Sequence, residues 1–130
     1  YFLPEAQTTA LIFKKNINPK ILGEVSQTLA NFNNDQTVFI ASVDFSHYLT
    51  PEEAEKKDKQ TLELIKNFEY PQILELNQTQ LDSPTAVYTL LETAKILDTK
   101  KMKVYAHTNS ARILNENLNN TTSYFTIGFY

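Results

Sequence analysis

The stretch ASVDFSHYLTPEE, residues 41–53, joins the end of an apolar run to the start of a helix. The run itself, TVFIASV (37–43), is short, continuous and apolar, which is typical of a strand buried on both faces of a sheet. Thr50 followed by Glu53 predicts a capping box, and Pro51 takes the first helical position. The residues between these two elements include Asp44, Ser46 and His47, so polar side chains lie where a predicted strand ends and a predicted helix begins.

The segments upstream repeat this alternation of strand and helix. AQTTALIFKK (6–15) predicts a strand, and NPKILGEVSQTLANF (18–32) predicts a helix with Asn18 as N-cap and Pro19 at its first position. Strand, helix and strand with short connections favour a right-handed βαβ unit. We therefore expect an α/β fold in which helices flank a mixed, largely parallel central sheet.

The downstream segments follow the same kind of signals. Prolines mark the starts of the predicted helices, and β-branched and aromatic residues mark the strands. The predicted helices are 50–68, a short helix begun at Pro71, and 82–98, and the predicted strands lie in 101–110 and 123–130. With no internal repeat, we expect residues 1–130 to form a single α/β domain.

The composition excludes several classes of function. The 130 residues are 42% hydrophobic and 21% charged, as in a globular protein, and the net charge of −3 gives no basic face for nucleic acid. The absence of cysteine excludes disulfides, thiol nucleophiles and zinc–thiolate sites. With two glycines and no G-x-G-x-x-G, Walker or G-x-S-x-G pattern, a phosphate-binding loop is not expected. No apolar run approaches the roughly 18 residues of a membrane span.

The start of the chain suggests a piece of a longer protein, because it opens with Tyr1 rather than methionine. It carries no signal-peptide pattern, and a cytoplasmic location is the expectation, although lack of cysteine fits either redox compartment. Exposed sheet edges in such a piece would favour a homo-oligomer.

His47 follows directly after the predicted strand, at the end of a strand where ligand sites gather in α/β sheets. Its imidazole could bind a metal or transfer a proton. Asp44, three residues earlier, could orient His47 or bind metal beside it. Alternatively, the two residues hydrogen-bond to each other and only shape a turn.

Asp58 lies on the apolar stripe of its predicted helix, four residues after Ala54 and four before Leu62. A carboxylate that faces a core needs partners, such as a backbone amide or Tyr48. Because this helix begins just after His47, we interpret Asp58 as a support for the His47 loop.

Two further pairs are weaker candidates for binding residues. His107 and Asn109 end a predicted strand on one face, and a half-exposed strand with polar tips explains them equally well. Asp82 and Ser83 lie at a helix N-terminus, which attracts anions, but helix capping alone accounts for both.

The order of these motifs resembles the MEMO family, also called AmmeMemoRadiSam system protein B. The family's Ser-Asp-x-Ser-His-Tyr type of motif is matched by Ser42, Asp44, Ser46, His47 and Tyr48, with Val43 inserted. AEKKD (54–58), LDSPTAVYTLLETAK (81–95), AHTNSA (106–111) and TSYFTIGFY (122–130) are similar to later family segments in the same order. The resemblance spans nearly all of this chain but only the C-terminal half of a typical member.

The resemblance implies a fold like that of class III extradiol dioxygenases, with a metal cleft. The cleft would use histidines from the N-terminal half, the Asp44 and His47 pair, and often a cysteine, which would fall at Asp82 or Ser83 and is absent here. Iron or copper is implied for the full-length protein. One histidine with carboxylates gives too few ligands for a tight site in this chain alone.

Three hypotheses follow for the function. The first is a metal-dependent redox or dioxygenase-like site acting on a small molecule, in which His47 is a ligand or general acid/base and Asp44 orients it. The second is a non-catalytic interaction module that binds a peptide or protein in the cleft, because the family includes a member regarded as an adaptor for phosphorylated receptor peptides. The third is a structural hydrogen-bond network of Asp44, His47 and Asp58.

Overall fold

A computed structural model describes residues 5–116 and 119–130, which form helices packed against a three-stranded sheet. The helices are α1 (Pro19–Asn31), α2 (Pro51–Lys66), α3 (Tyr70–Glu75), α4 (Pro84–Ile96) and α5 (Ser110–Leu114), and the strands are β1 (His47–Leu49), β2 (Met102–Asn109) and β3 (Thr121–Phe129). None of the helices within the described ranges is long and apolar enough to cross a membrane.

The helix starts confirm the predictions made from capping signals. The side chain of Asn18 accepts a hydrogen bond from the Lys20 N–H at 2.9 Å, and Pro19 opens α1. At the start of α2, the Thr50 hydroxyl accepts from the Glu53 N–H and the Glu53 carboxylate accepts from the Thr50 N–H, which is a complete capping box. These bonds form within four residues, so a local pattern is enough to predict them.

The predicted parallel sheet is wrong. The strand order is β1-β3-β2 and both pairings are antiparallel. The segments 6–14 and 37–43, which the βαβ prediction needs as strands, are not assigned to any strand. A β-branched apolar run shows that a segment suits a sheet, but a strand also needs a neighbouring strand for its backbone groups, and no strand in the described part of the chain pairs with these runs.

The core lies between the sheet and the helices α2, α3 and α4. Its buried members are Phe45, Ile65, Ile73, Leu81, Val87 and Leu91. Phe125, Ile127 and Phe129 of β3 pack against this cluster from the sheet side. Phe45 belongs to the 44–48 loop, so its burial in the core anchors the segment that carries the candidate site residues.

Helix α1 packs against α4 away from this core. Leu22 is fully buried there, and the Ser26 hydroxyl lies within hydrogen-bond distance of the Leu22 and Thr89 carbonyls at 2.9 and 3.2 Å. The two helices form a layer next to segment 6–14, where the Thr85 hydroxyl donates to the Lys14 carbonyl at 3.4 Å.

Candidate functional site

The 44–48 loop is fixed to the middle strand of the sheet. The Phe45 N–H donates to the Ser123 carbonyl at 3.0 Å, and the Ser123 N–H donates to the Ser46 carbonyl at 2.8 Å. His47 is then paired with Thr122 in β1. Backbone hydrogen bonds of the sheet therefore fix the path of the chain on the N-terminal side of His47.

Tyr48 breaks the regular strand directly after His47. Its φ of 61° lies in the left-handed region, which is unfavourable for a bulky residue, and the register of β1 on β3 shifts between His47 and Leu49. The Tyr48 side chain is 72% exposed, whereas His47 is only 8% exposed. An irregularity of this kind re-aims side chains, and strained backbone of this kind clusters at functional sites.

The His47 ring contains a buried polar atom without a partner. Its Nδ1 has no hydrogen bond within the described residues, and the ring lies edge-on to Tyr48 with the centroids 5.2 Å apart. A buried, unsatisfied donor or acceptor is unfavourable, and native proteins rarely keep one without a reason. Nδ1 is thus available to a ligand atom that the fold itself does not supply.

Asp44 pairs with Asp82 rather than with His47. The Asp44 N–H donates to Asp82 Oδ1 at 3.1 Å, and the Asp82 N–H donates to the Asp44 carbonyl at 3.1 Å. No hydrogen bond joins the side chains of Asp44 and His47, both of which lie in the described part of the chain. The structure therefore brings the start of α4 against the loop and adds a second carboxylate to its rim.

The electrostatic surroundings of Asp82 disfavour its charge. Desolvation raises the pKa of Asp82 most, and the negative charge of Asp44 raises it further. The hydrogen bond from the Asp44 N–H and the nearby His47 act in the opposite direction. Much of the Asp82 side chain is open to solvent, which keeps the effect of these neighbours small.

Asp58 is buried and bonded to two different elements. Its Oδ1 accepts from the Ser46 N–H at 3.3 Å, and its Oδ2 lies 2.8 Å from His107 Nε2 in β2. The His107 ring stacks on Phe125 at 4.0 Å between centroids with an interplanar angle of 5°. One carboxylate thus connects α2, β2 and the residue that precedes His47.

Ser46 was identified from the sequence only as a match to the family motif, and Phe125 was not singled out. Ser46 is fully buried, and its hydroxyl donates to the Ala54 carbonyl at 3.4 Å. Phe125 is paired with His107 across the two strands, and its ring centroid lies 4.5 Å from that of Phe45. Only a known register between β2 and β3 could have identified Phe125, because directly opposed residues share one face of a sheet.

Ser83 and Asn109 lie at helix starts. Ser83 is the N-cap of α4 without a side-chain hydrogen bond. Asn109 caps α5, since its Oδ1 accepts from the Arg112 N–H at 2.9 Å, while its buried Nδ2 has no partner among the described residues. Only Asn109 therefore caps its helix through a side-chain hydrogen bond.

A cleft of about 440 Å³ lies beside the start of α4. Asp82 and Ser83 line it, together with residues of the 13–16 and 74–85 segments, and Lys15 places a cation at its wall. His47 does not line this cleft, so the candidate residues fall into two groups that meet at the contact between Asp44 and Asp82.

The donors present do not make a complete metal site. Over residues 5–116 and 119–130, no group of three or more histidine, cysteine, aspartate or glutamate side chains is arranged to hold a metal ion. His47, Asp44 and Asp82 are therefore not arranged as the three protein ligands that a catalytic transition-metal site usually has.

A comparison against protein families gives a match over most of the chain. The family model described as Memo-like protein matches residues 12–127, which is most of the chain. No curated protein and no solved structure matches it. The chain therefore belongs to the Memo-like protein family.

Proposed function

We propose that this member of the Memo-like protein family carries one wall of a small-molecule site centred on the imidazole of His47. The observation that supports the proposal most is the buried Nδ1 of His47, which has no partner among the described residues. The left-handed backbone of Tyr48 and the register shift beside it add to this support. A ring that served only packing would not need a buried polar atom without a hydrogen bond.

In this proposal His47 moves a proton to or from the bound molecule, or holds the molecule through Nδ1. An imidazole ring can accept a proton at one nitrogen and donate one from the other, so His47 has the chemistry for either role. Asp58 acts on His47 through the Ser46 N–H, which it holds in place. His107 fixes Asp58 in turn.

The finer form of the proposal is a metal-dependent redox or dioxygenase-like reaction, as the family resemblance implies. The residues described here do not fit a complete iron or copper site. This form therefore requires further donor groups from outside the described residues, with His47 as one ligand. The role of His47 as a proton carrier does not depend on that requirement.

The test uses the longest available form of the protein and its His47→Ala variant. Elemental analysis and titration with iron and copper would measure metal uptake, and a redox assay would follow activity. We expect uptake by the parent and loss of uptake in His47→Ala, with Asn33→Ala, an exposed polar substitution away from the loop, as the matched control. A parent that takes up neither metal would remove the metal-dependent form.

The cleft beside Asp82 favours a second candidate function, a non-catalytic module that binds a peptide or protein. It is open, apolar along Leu74 and Leu76, and carries Lys15 at one wall, which would suit an acidic or phosphorylated side chain. In this case Lys15→Ala would weaken peptide binding and His47→Ala would leave it unchanged. The opposite pattern would favour the His47 site.

A further inference from the structure

Three small polar residues form a row across the sheet beneath α2. They are Ser46, Ser123 and Asn109, and all three are fully buried. Ser123 lies in the middle strand, where its N–H donates to the Ser46 carbonyl at 2.8 Å. Asn109 is the residue directly opposite Ser123 in β2. These three residues are called the polar row below.

The polar row faces α2. His107 lies two residues before Asn109 in β2, so their side chains share one face of the sheet, and His107 bonds to Asp58 of α2. At the other end of the row, the Ser46 hydroxyl donates to the Ala54 carbonyl of α2 at 3.4 Å. Ala54 is itself fully buried. The helix therefore separates the polar row from bulk solvent.

Two polar atoms of the row have no partner within the described residues. They are Asn109 Nδ2 and Ser123 Oγ, both of which are buried. The orientation of the Asn109 amide is fixed, because its Oδ1 accepts from the Arg112 N–H at 2.9 Å. The group without a partner is therefore the Nδ2 donor and not the oxygen. A buried donor without an acceptor is unfavourable, and native proteins rarely keep one.

The two unpartnered atoms belong to residues that are directly opposed across β2 and β3. Side chains at such positions lie on the same face, with their Cβ atoms about 4.5–5.5 Å apart. No direct hydrogen bond joins Asn109 Nδ2 to Ser123 Oγ. A single small molecule between the two atoms would satisfy both of them.

The chemistry of the row selects the molecule that fits there. The molecule must accept a hydrogen bond from Asn109 Nδ2, and a metal cation cannot do so. An anion is disfavoured by the buried carboxylate of Asp58, which holds the Ser46 N–H at the end of the row. Water accepts from the amide and can donate to or accept from the Ser123 hydroxyl, and the Ser46 hydroxyl oxygen is a further acceptor in the row.

We infer that the polar row holds an internal water molecule between Asn109 and Ser123. The water completes a continuous layer of hydrogen bonds between α2 and the sheet. This layer runs from the cap of α5 at Asn109 to Ser46, which precedes His47. The inference rests on the polar row and does not depend on the function of His47.

Magnetic relaxation dispersion of oxygen-17 in the solvent tests the proposal, because it detects water molecules that stay inside a protein while the protein tumbles. Ser123→Val replaces the hydroxyl by methyl groups that occupy the place of the water. The dispersion amplitude should then fall by the contribution of about one water molecule. Ser42→Val, at an exposed position, is the matched control and should leave the amplitude unchanged. Equal amplitudes in the parent and in Ser123→Val would overturn the proposal.

The smaller substitution Ser123→Ala gives an independent test through the sign of its effect. Removal of a buried hydroxyl that lacks any partner would raise the urea midpoint of unfolding or leave it unchanged. Removal of a hydroxyl that is bonded to an internal water loses a hydrogen bond, so we expect the midpoint to fall. Ser42→Ala should keep the parent's midpoint. A midpoint in Ser123→Ala that equals or exceeds that of the parent would overturn the proposal.

Discussion

His107 Nε2 lies 2.8 Å from Asp58 Oδ2, and this contact joins β2 to α2 across 49 positions of the sequence. Asp58 is fully buried, and its other oxygen holds the Ser46 N–H directly before His47. The pair therefore ties the candidate site loop to both layers of the fold. Its energetic contribution can be measured separately from any activity.

Removal of the Asp58 carboxylate should destabilise the fold. Asp58→Ala deletes two hydrogen bonds that involve a charged group and leaves the Ser46 N–H without its partner. We expect the free energy of unfolding in urea at pH 7 to fall by about 2–3 kcal/mol. Lys59→Ala, at the exposed neighbouring position, is the control. A loss below about 0.5 kcal/mol would show that the pair contributes little to the stability of the fold.

His107→Phe separates the two contacts of His107. Phenylalanine can keep the stacking on Phe125 but cannot bond to Asp58, so a buried carboxylate loses its partner. We expect a loss of about 1–3 kcal/mol, and partial recovery in the double variant Asp58→Leu/His107→Phe, in which both polar partners are gone. Strictly additive losses in this double-mutant cycle would contradict direct coupling.

His47→Leu should preserve stability while it removes the proposed site. Leucine fills similar space and eliminates the buried Nδ1 that has no partner. We expect the free energy of unfolding to be unchanged or raised by up to about 1 kcal/mol, together with loss of metal uptake or activity. A drop of more than about 1 kcal/mol would instead favour the structural network as the role of His47.

The raised pKa of Asp82 predicts a dependence of stability on pH. In the unfolded chain this carboxyl titrates near its ordinary value of 3.8, whereas the folded chain holds the proton to a higher pH. Its stabilising contribution is therefore complete below pH 3.8 and is lost as the pH rises through the raised pKa. Asp82→Asn keeps an oxygen acceptor for the Asp44 N–H and no longer titrates.

Thermal unfolding between about pH 3 and 7 would measure this effect. Relative to the parent, Asp82→Asn should gain stability as the pH rises through this window, and the gain should be small because the side chain is exposed. Asp35→Asn, in an exposed turn, serves as the control. Parallel pH profiles for the parent and Asp82→Asn would contradict the prediction.

The capping box of α2 gives a local prediction. Thr50→Ala removes the hydroxyl that accepts from the Glu53 N–H, so the free energy of unfolding should fall by about 1 kcal/mol. Thr50→Ser retains a hydroxyl and should recover most of the loss. Urea unfolding of the three proteins would measure both changes, and an equal loss in the serine variant would contradict the capping explanation.

Sequence reasoning succeeded where the interaction is local. The starts of α1 and α2, the proline positions and the strands β2 and β3 depend on residues a few positions apart, and the structure confirms them. The motif that carries Asp44 and His47 also identified the family, which the match over residues 12–127 confirms. The extradiol dioxygenase-like architecture stays a prediction.

The tertiary structure decided the remaining features, because they depend on which distant segments meet. It placed β3 between β1 and β2 in antiparallel order, whereas 37–43 was left without a neighbour. It also joined Asp58 to His107. The sequence by itself determined the helices α1 to α4, the apolar segments and the positions of the reactive residue types, but not the short helix α5. Backbone pairing and the contacts of a buried carboxylate required the folded chain, because a residue pattern specifies a need for a partner but not the partner itself.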